Sequence, residues 1–194
     1  MVVFLQYAIL SDLHSDYKNT KKVLRHIQTV APHAEIIGLG DLFECTISKK
    51  KAKNIRNAKL KDAAIIDEKF LNLLTFPSII GNQEERIALV TGDQRFLQYE
   101  AQKKIEHATL IHGHQLEWDD SYNPTFPMIQ TPLLFFGHSH DAAIYMDGVR
   151  QKVPYNIPLA IGQKKYQINV GAVVDKKEWC LYDSNAMTVT FMQA

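Results

Sequence analysis

Several short apolar runs in this sequence end in side chains that can coordinate a metal ion or move a proton. These side chains are Asp12 and His14, Asp41, Asn82, His112 and His114, and His138 and His140. The run over residues 36–40 is typical, because it ends in glycine and then delivers one carboxylate, that of Asp41. Since the carboxyl ends of buried strands open at one edge of a sheet, we expect these side chains to meet in one pocket.

The donor types favour a pair of divalent cations. In two dyads, Asp12 with His14 and His138 with His140, alternation along an extended segment places both side chains on one side. Seven donors exceed the needs of a single catalytic ion, which keeps one position open for water. We therefore predict two ions that share the Asp41 carboxylate. The predicted ligands are Asp12, His14, Asp41, Asn82, His112, His138 and His140.

The elements that must position these donors alternate between strand and helix in the first half. Residues 2–10 form a strand-like run, and Asp16 or Asn19 can cap a helix over 20–30. Apolar residues with helical spacing predict a long helix over 50–74, which Pro77 stops. Residues 78–80 lead into Gly81-Asn82, and a second helix is predicted over 93–106.

The second half has the pattern of β-hairpins. Turn residues such as Asp147-Gly148 separate short apolar runs. These runs are residues 108–111, 133–136, 143–146, 166–170, 179–182 and 187–191. A helix-rich first half and a strand-rich second half predict an α/β (α+β) fold in which two sheets pack together with helices outside.

Composition sets limits on the class of protein. A chain of 194 residues suits one domain, 1–194, and 46% apolar with 22% charged residues is typical of a folded, soluble protein. The net charge of +1 argues against a nucleic-acid partner, and residues 2–10 are too short to cross a membrane. Cys45 and Cys180 form neither a disulfide framework nor a thiolate zinc motif, so we expect a reducing, cytoplasmic location.

The ordered donors resemble the motifs of the calcineurin-like metallophosphoesterase family, in particular its small bacterial and archaeal phosphodiesterase-like members. The matching motifs are Asp12-Leu13-His14, Gly40-Asp41, Gly81-Asn82, His112-Gly113-His114 and Gly137-His138-Ser139-His140. Residues 169–172 resemble the family's Asn-Pro-Gly-Ser turn. The resemblance implies a four-layer α-β-β-α sandwich of two mixed β-sheets flanked by helices, in agreement with the pattern of the two halves.

The resemblance also implies an enzyme, a metal-dependent phosphoesterase. Asp12, His14 and His140 would hold the first ion, Asn82, His112 and His138 the second, and Asp41 would bridge them. Two ions about 3.5–4 Å apart would bind a bridging hydroxide that attacks phosphorus in line. We expect manganese, with iron, zinc or nickel as alternatives. The expected partner is a small substrate, a nucleotide among the candidates, with a phosphomonoester, phosphodiester or phosphoanhydride bond, and a homo-oligomer stays open.

One position departs from the family pattern. Family members usually continue Gly-Asn-His, whereas this chain has Gly81-Asn82-Gln83. The family histidine is often assigned as the acid that protonates the leaving group, and an amide has no titrating proton. We therefore expect substrates with good leaving groups. The alternative is a metal-binding scaffold or interaction module with little or no turnover.

Further residues receive roles with open alternatives. Together with Asp41, Asn82 and Gln83, we assign His114 to catalysis, although it can also orient a ligand or only pack. The run Lys49 to Lys61 carries lysines and an arginine without an acid, and it either grips a polyphosphate or forms a solvated helix face. Trp118, Tyr122 and Phe126 either stack on a base or pack in the core.

Overall fold

The computed structural model describes residues 5–162 and 164–194. The helices are α1 Tyr17–Val30, α2 Lys49–Ala52, α3 Leu60–Ala63, α4 Glu68–Leu71, α5 Asn82–Thr91 and α6 Val173–Lys176, with a 3₁₀ turn at Gln94–Leu97. The strands are β1 Gln6–Leu10, β2 Glu35–Gly38, β3 Glu44–Cys45, β4 Ala64–Ile65, β5 Gln102–Ile105, β6 Ala108–Ile111, β7 Glu117–Trp118, β8 Pro124–Thr125, β9 Leu133–Phe136, β10 Ala143–Met146, β11 Val149–Gln151, β12 Leu159–Ala160, β13 Tyr166–Asn169, β14 Glu178–Asp183 and β15 Thr188–Gln193. Residues 2–4 of the predicted first strand lie outside the described residues.

Two mixed sheets form the centre of the molecule. One has five strands in the order β12-β15-β14-β1-β2, and the other has six in the order β11-β10-β13-β9-β6-β5. Strand β1 runs parallel to β2 and antiparallel to β14. Strand β9 runs parallel to both β6 and β13. The prediction of two mixed sheets is confirmed, and the parallel pairs bring the ends of β1, β2, β6 and β9 to the donor residues.

The sheets pack face to face through a shared apolar core. Ile9 and Ile37 of the five-stranded sheet lie in one cluster with Leu110, Phe135 and Ile168 of the six-stranded sheet, and all five are fully buried. Because side chains alternate across a strand, Ile9 faces the second sheet while its neighbours in β1 face away from it. A shift of β1 by one residue would turn Ile9 away from the second sheet, so this alternation fixes the register of β1 and with it the position of the loop that follows.

Different structures cover the two outer faces. On the five-stranded sheet, Leu10 packs with Val23 and Ile27 of helix α1. On the six-stranded sheet, the segment 113–131 packs its apolar side chains against Phe136 and Tyr145. That segment contains the small β7-β8 hairpin. The outer layer nearest the His112 loop is therefore formed by an irregular segment.

The predicted helix over 50–74 is wrong as a continuous element. It is divided into α2, α3 and α4, with strand β4 between the last two. Asn57 has φ 58°, a left-handed conformation that interrupts a helix. Ala64 and Ile65 pair antiparallel with Cys45 and Glu44, so tertiary pairing outweighs the local helical pattern. Ala63 and Phe70, two apolar residues of this segment, are nevertheless fully buried.

The predicted helix over 93–106 is also wrong. The helix lies earlier, as α5, and Gly92 ends it with φ 77°. Only a short 3₁₀ turn follows, in which Phe96 is buried. Residues 102–105 instead form β5, which pairs antiparallel with β6.

The other predicted elements are found close to their expected bounds. Helix α1 starts at Tyr17, three residues before the prediction, and Asp16 caps it by accepting a hydrogen bond from the Asn19 N–H at 2.9 Å. Among residues 5–162 and 164–194, none of the helices combines the length and apolar character that crossing a bilayer demands.

Candidate metal centre

The candidate ligands lie on tight turns that follow the central strands. Asp12 and His14 follow β1, Asp41 follows β2, and His138 and His140 follow β9. All five have φ between 48° and 71°. Left-handed backbone is uncommon for residues other than glycine and costs roughly 1 kcal/mol or more per residue, although Asn, Asp and His tolerate it best. Such strain concentrates at functional sites because the surrounding structure must hold it in place.

The first cluster of donors consists of Asp12, His14 and His140. Their candidate ligand atoms all lie within 4.8 Å of one another. Asp12 Oδ1 is 3.3 Å from His140 Nε2 and 3.8 Å from His14 Nε2. The two Nε2 atoms are 3.1 Å apart. These are the residues predicted to hold the first ion.

The second cluster consists of Asp41, His112 and His138, again within 4.8 Å of one another. His112 Nε2 lies 3.3 Å from Asp41 Oδ2 and 3.1 Å from Asn82 Oδ1. Asn82 is the first residue of α5, so the helix start delivers its amide to this cluster. All seven predicted ligands are thus brought together in two adjacent clusters.

Asp41 lies between the clusters. Its Oδ2 atom is 3.7 Å from His14 Nε2 in the first cluster and 3.3 Å from His112 Nε2 in the second. Its Oδ1 atom accepts a hydrogen bond from the Gln83 N–H at 2.8 Å, which fixes the carboxylate plane. The geometry therefore offers one carboxylate oxygen to both clusters, as a shared ligand requires.

Hydrogen bonds at Nδ1 orient three of the histidines. His14 Nδ1 donates to Glu44 at 2.5 Å, and His140 Nδ1 donates to Asp175 at 2.6 Å. His112 Nδ1 donates to the Leu39 carbonyl at 2.8 Å. Each contact leaves Nε2 facing its cluster, the arrangement that carboxylates and carbonyls impose on metal-binding histidines. Sequence reasoning missed Glu44 and Asp175, and no local pattern points to either of them.

The negative charges of the carboxylates stabilise positive charge at the site, as the pKa values of the histidines indicate. For His14, burial would lower the pKa, but hydrogen bonds to Asp12 and Glu44 outweigh it and raise the pKa to about 10. Burial also opposes charging of His112, yet the charge of Asp41 raises its pKa to about 9. The pKa of His138 moves the other way, to about 4, because of burial and the neighbouring His112.

The donor set fits a pair of divalent cations. Asp12 is fully buried, and its Oδ1 atom accepts no hydrogen bond among the described residues. Buried carboxylate oxygens are rarely left in this state. Since the Nδ1 atoms of His14 and His140 donate elsewhere, their facing Nε2 atoms, 3.1 Å apart, need a positive charge between them, which is a proton in the metal-free protein and a cation when a metal displaces that proton. A cation satisfies all three atoms.

A buried carboxylate ties the Asp41 loop to the start of α5. Glu84 accepts hydrogen bonds from the backbone N–H groups of Asp41, Phe43 and Gly81 at 2.9–3.0 Å. Burial and the charge of Asp41 raise its pKa to about 7. The signal for this role was present, because a glutamate three residues after a helix N-cap is the pattern of a capping box.

The loop of His138 and His140 is tied down from the six-stranded sheet. Asn169, at the end of β13, donates from Nδ2 to the Gly137 carbonyl at 3.0 Å and to Ser139 Oγ at 2.8 Å. Its Oδ1 atom accepts from the Gly171 N–H at 3.0 Å. The turn at 169–172, singled out in the sequence, thus holds the second histidine pair in position.

Gln83 is buried and faces the protein rather than the two clusters. Its Oε1 atom accepts from the Cys45 N–H at 3.1 Å and also from the Arg86 guanidinium. Arg86 lies one turn after Asn82 on α5, so the two side chains share a face of the helix. This i, i+4 spacing could have indicated from the sequence that Arg86 lies near the candidate ligand Asn82, and sequence reasoning overlooked it.

His114 belongs to neither cluster. Its Nε2 atom is 3.3 Å from a carboxylate oxygen of Glu85, and burial and His112 lower its pKa. With Asn82 and His138 it lines a cavity of about 480 Å³ beside the clusters. This position is open to a substrate contact.

The aromatic stretch after His112 divides into two parts. Trp118 donates from its indole to the Gly113 carbonyl at 2.9 Å and packs beside Phe136, and Phe126 also packs on Phe136. Tyr122 is 74% exposed. Trp118 and Phe126 therefore pack against the sheet, in keeping with the packing alternative.

Comparisons with known proteins bear on the family and the fold of this chain. A model of the calcineurin-like phosphoesterase superfamily domain matches residues 5–178. A solved metallophosphoesterase from Sphaerobacter thermophilus is 18% identical, with 98% of this chain and 88% of that one covered and a TM-score of 0.65. Vps29 from Chaetomium thermophilum is 10% identical, with 96% and 88% covered and a TM-score of 0.54. At such identities the two structures show a shared fold, and no curated protein sequence matches the chain. The match over residues 5–178 shows that this chain belongs to the calcineurin-like phosphoesterase superfamily.

Proposed function

We propose that this chain is a metal-dependent phosphoesterase that binds two divalent cations and hydrolyses a small phosphorylated substrate. The observation that carries the proposal is the position of Asp41, whose Oδ2 atom faces ligand atoms of both clusters. When bound, two ions supply polarisation of the phosphoryl oxygens and a water molecule of lowered pKa.

The proposal assigns seven residues to cation binding and one, His114, to contact with the substrate. Asp12, His14 and His140 hold one cation, and Asn82, His112 and His138 hold the other, with Asp41 shared. His114 lines the adjoining cavity and lies within 3.3 Å of Glu85, which orients its ring. Because its Nδ1 atom is buried, the Nε2 atom that faces Glu85 is the one available to hydrogen-bond a phosphoryl oxygen of the substrate.

The leaving group is expected to be a stable anion. Gln83 has no proton to transfer, and its side-chain oxygen is already engaged by Cys45 and Arg86. General acid catalysis contributes about 10²- to 10⁴-fold to a rate, so poor leaving groups lose most without it. We therefore favour a phosphoanhydride or an aryl phosphate over an alkyl phosphate.

The test combines metal content with turnover. The protein is loaded with manganese, iron, zinc or nickel, and hydrolysis of p-nitrophenyl phosphate, bis-p-nitrophenyl phosphate, pyrophosphate and an alkyl monoester is measured. We expect about two ions per chain and slow turnover of the alkyl ester. Asp41→Asn should reduce both metal content and rate, whereas Asp120→Asn on the exposed surface should change neither. Full activity and metal content in Asp41→Asn contradict the proposal.

The second candidate is a metal-binding scaffold with little turnover. The observation that favours it is the placement of Gln83, a residue without a titrating proton whose amide oxygen is bound inside the protein. A protein that binds about two ions per chain and hydrolyses none of these substrates would support the scaffold. Turnover that depends on Asp41 would exclude it.

A further inference from the structure

The cavity beside the candidate metal centre is lined by three basic side chains, those of Lys49, Lys53 and Arg86. Its volume is about 480 Å³, which falls within the range of small-molecule sites, about 300–1,000 Å³. Asn82 and His138 form the side that faces the metal centre. The cavity thus joins candidate metal ligands to a cationic wall.

Two elements build this wall. Lys49 begins α2 and Lys53 follows its last residue, so the i, i+4 spacing places both side chains on one face. The intervening Lys50 and Lys51 do not line the cavity. Arg86 comes from α5, one turn after Asn82. The basic run noted in the sequence therefore contributes two of its lysines to the pocket.

The three cations have no acidic partner of their own. Across residues 5–162 and 164–194, none of Lys49, Lys53 and Arg86 lies within 4 Å of a carboxylate in an ion pair. Among the described residues lining the cavity, only Glu85 carries a carboxylate, and it lies 3.3 Å from His114. Three positive charges thus face one negative charge, and the excess favours an anionic ligand.

Arg86 is held rather than mobile. Its Nη2 group donates to Gln83 Oε1, and that oxygen also accepts from the Cys45 N–H at 3.1 Å. Its Nε atom is buried and has no hydrogen-bond partner among the described residues. The guanidinium is thus anchored at one side, and the N–H groups that it does not use for Gln83 can meet a phosphate in the cavity that Arg86 lines.

We propose that this cavity is a subsite for a second phosphoryl group, so that the substrate is a diphosphate whose anhydride bond is cleaved. The proposal rests on the phosphoesterase function proposed above, and it assigns Gln83 the task of positioning Arg86. A substrate with one phosphoryl group would be held at the metal centre and leave Lys49, Lys53 and Arg86 without a counter-charge.

The subsite also accounts for cleavage without a general acid. A water oxygen bonds to the terminal phosphorus while the bond from that phosphorus to the bridging oxygen breaks. The electron pair stays on the bridging oxygen, which becomes a terminal oxygen of the departing phosphoryl group. One water proton remains on the released phosphate and the other passes to solvent. Arg86, Lys49 and Lys53 stabilise the charge that develops on the leaving group, in place of a proton.

Binding rather than turnover provides the test. The protein is loaded with manganese, freed of excess ion and titrated calorimetrically with methylenediphosphonate, a diphosphate analogue that is not hydrolysed, and with inorganic phosphate. We expect the analogue to bind at least about tenfold more tightly than phosphate, since hydrogen bonds to charged groups are worth about that factor or more. Equal affinities, or binding of neither ligand, overturn the subsite.

Variants locate the effect. Arg86→Gln and the double variant Lys49→Gln/Lys53→Gln should each weaken analogue binding about tenfold and phosphate binding much less. Lys50→Gln/Lys51→Gln removes the same charge from the same helix outside the cavity and should change neither affinity. If this control weakens analogue binding as much as Lys49→Gln/Lys53→Gln, the effect is general electrostatics and the subsite is overturned.

The two proposals fail in different ways. Hydrolysis of p-nitrophenyl phosphate by a protein that binds the analogue no better than phosphate leaves the phosphoesterase function standing and removes the subsite. Selective binding of the analogue that depends on Arg86, in a protein that hydrolyses nothing, supports the subsite and removes the phosphoesterase function.

Discussion

At the scale of single residues, the two candidate ion sites differ in how their histidines are held. Both histidines of the first cluster donate from Nδ1 to carboxylates, those of Glu44 and Asp175. In the second cluster, His112 donates to the Leu39 carbonyl. A carboxylate partner makes an imidazole a stronger donor to a metal than a carbonyl does. The first cluster is therefore expected to bind its ion more tightly than the second.

Glu44→Gln should weaken binding at the first site. The amide keeps a hydrogen bond to His14 but removes the negative charge that makes the imidazole basic, and such changes cost about 10- to 100-fold in metal affinity. Titration with manganese, followed by calorimetry, measures the effect. Glu68→Gln, an exposed glutamate of α4, provides the control. An unchanged affinity in Glu44→Gln would show that the contact does not tune the site.

Proton competition gives a pH dependence with a definite sign. The pKa values of His14 and His112 rise from 6.5 to about 10 and about 9 in the folded chain. Their contribution to the stability of the metal-free protein is therefore complete below pH 6.5 and is lost as the pH rises through about 9 and 10. Metal binding must release these protons, so affinity should increase as the pH rises.

Thermal melts in EDTA and calorimetry with manganese measure the two effects. The melting temperature of the metal-free protein should fall from about pH 6.5 upward, while the affinity for manganese rises between about pH 6 and 8.5. Buffers of different ionisation enthalpy should reveal proton release. A metal-free melting temperature that rises over this range would contradict the assignment.

At the scale of elements, the start of α5 and the loop after β2 act as one unit. Glu84 binds backbone N–H groups in both, and the Gln83 N–H donates to Asp41 Oδ1. The two backbones approach so closely that a Cβ at Gly81 would lie 2.2 Å from the Asp41 nitrogen. A methyl group at this position must displace either the loop or the helix.

Gly81→Ala should therefore affect both stability and metal binding. Overpacking against backbone typically costs about 1–3 kcal/mol of unfolding free energy, and displacement of Asp41 should weaken both ion sites. Urea unfolding and metal analysis of the same preparation measure the two effects. Gly162→Ala is the matched control, because a Cβ there meets nothing within 4 Å. If Gly81→Ala behaves like this control, the close approach has no energetic consequence.

At the scale of the whole molecule, the candidate ligands join the two sheets. Asp12 and Asp41 follow strands of the five-stranded sheet, whereas His112 and His138 follow strands of the six-stranded sheet. The ions would thus add contacts between the sheets at the edge of the core shared by Ile9 and Phe135. Metal binding is therefore expected to stabilise the global fold.

Removal of metal should lower the melting temperature of the whole protein. A ligand present at 100 times its dissociation constant stabilises the folded state by about 2.7 kcal/mol, so the shift should grow with manganese concentration. Melts with EDTA and with increasing manganese test this expectation. His33→Gln, an exposed histidine outside the clusters, should show the same shift as the wild type. A melting temperature independent of metal would contradict the link between the sheets.

The sequence allowed the donor turns to be predicted better than the helices. Short apolar runs followed by Asp, Asn and His predicted where β1, β2, β6 and β9 end, because a strand that ends at a polar turn leaves a local pattern. The breaks within 50–74 follow from pairing between β3 and β4, which is distant in sequence. The roles of Glu44 and Asp175 could not be predicted for the same reason, since these residues contact His14 and His140 only in the folded chain.

The left-handed backbone at Asp12, His14, Asp41, His138 and His140 has a consequence for how this protein can change over evolutionary time. Loss of an ion would remove the need for a carboxylate or an imidazole, yet the turns would still exclude β-branched side chains. Descendants that abandon the chemistry should therefore drift toward asparagine or glycine at these places rather than toward valine or isoleucine. The left-handed turns would thus persist after the capacity to bind metal had been lost.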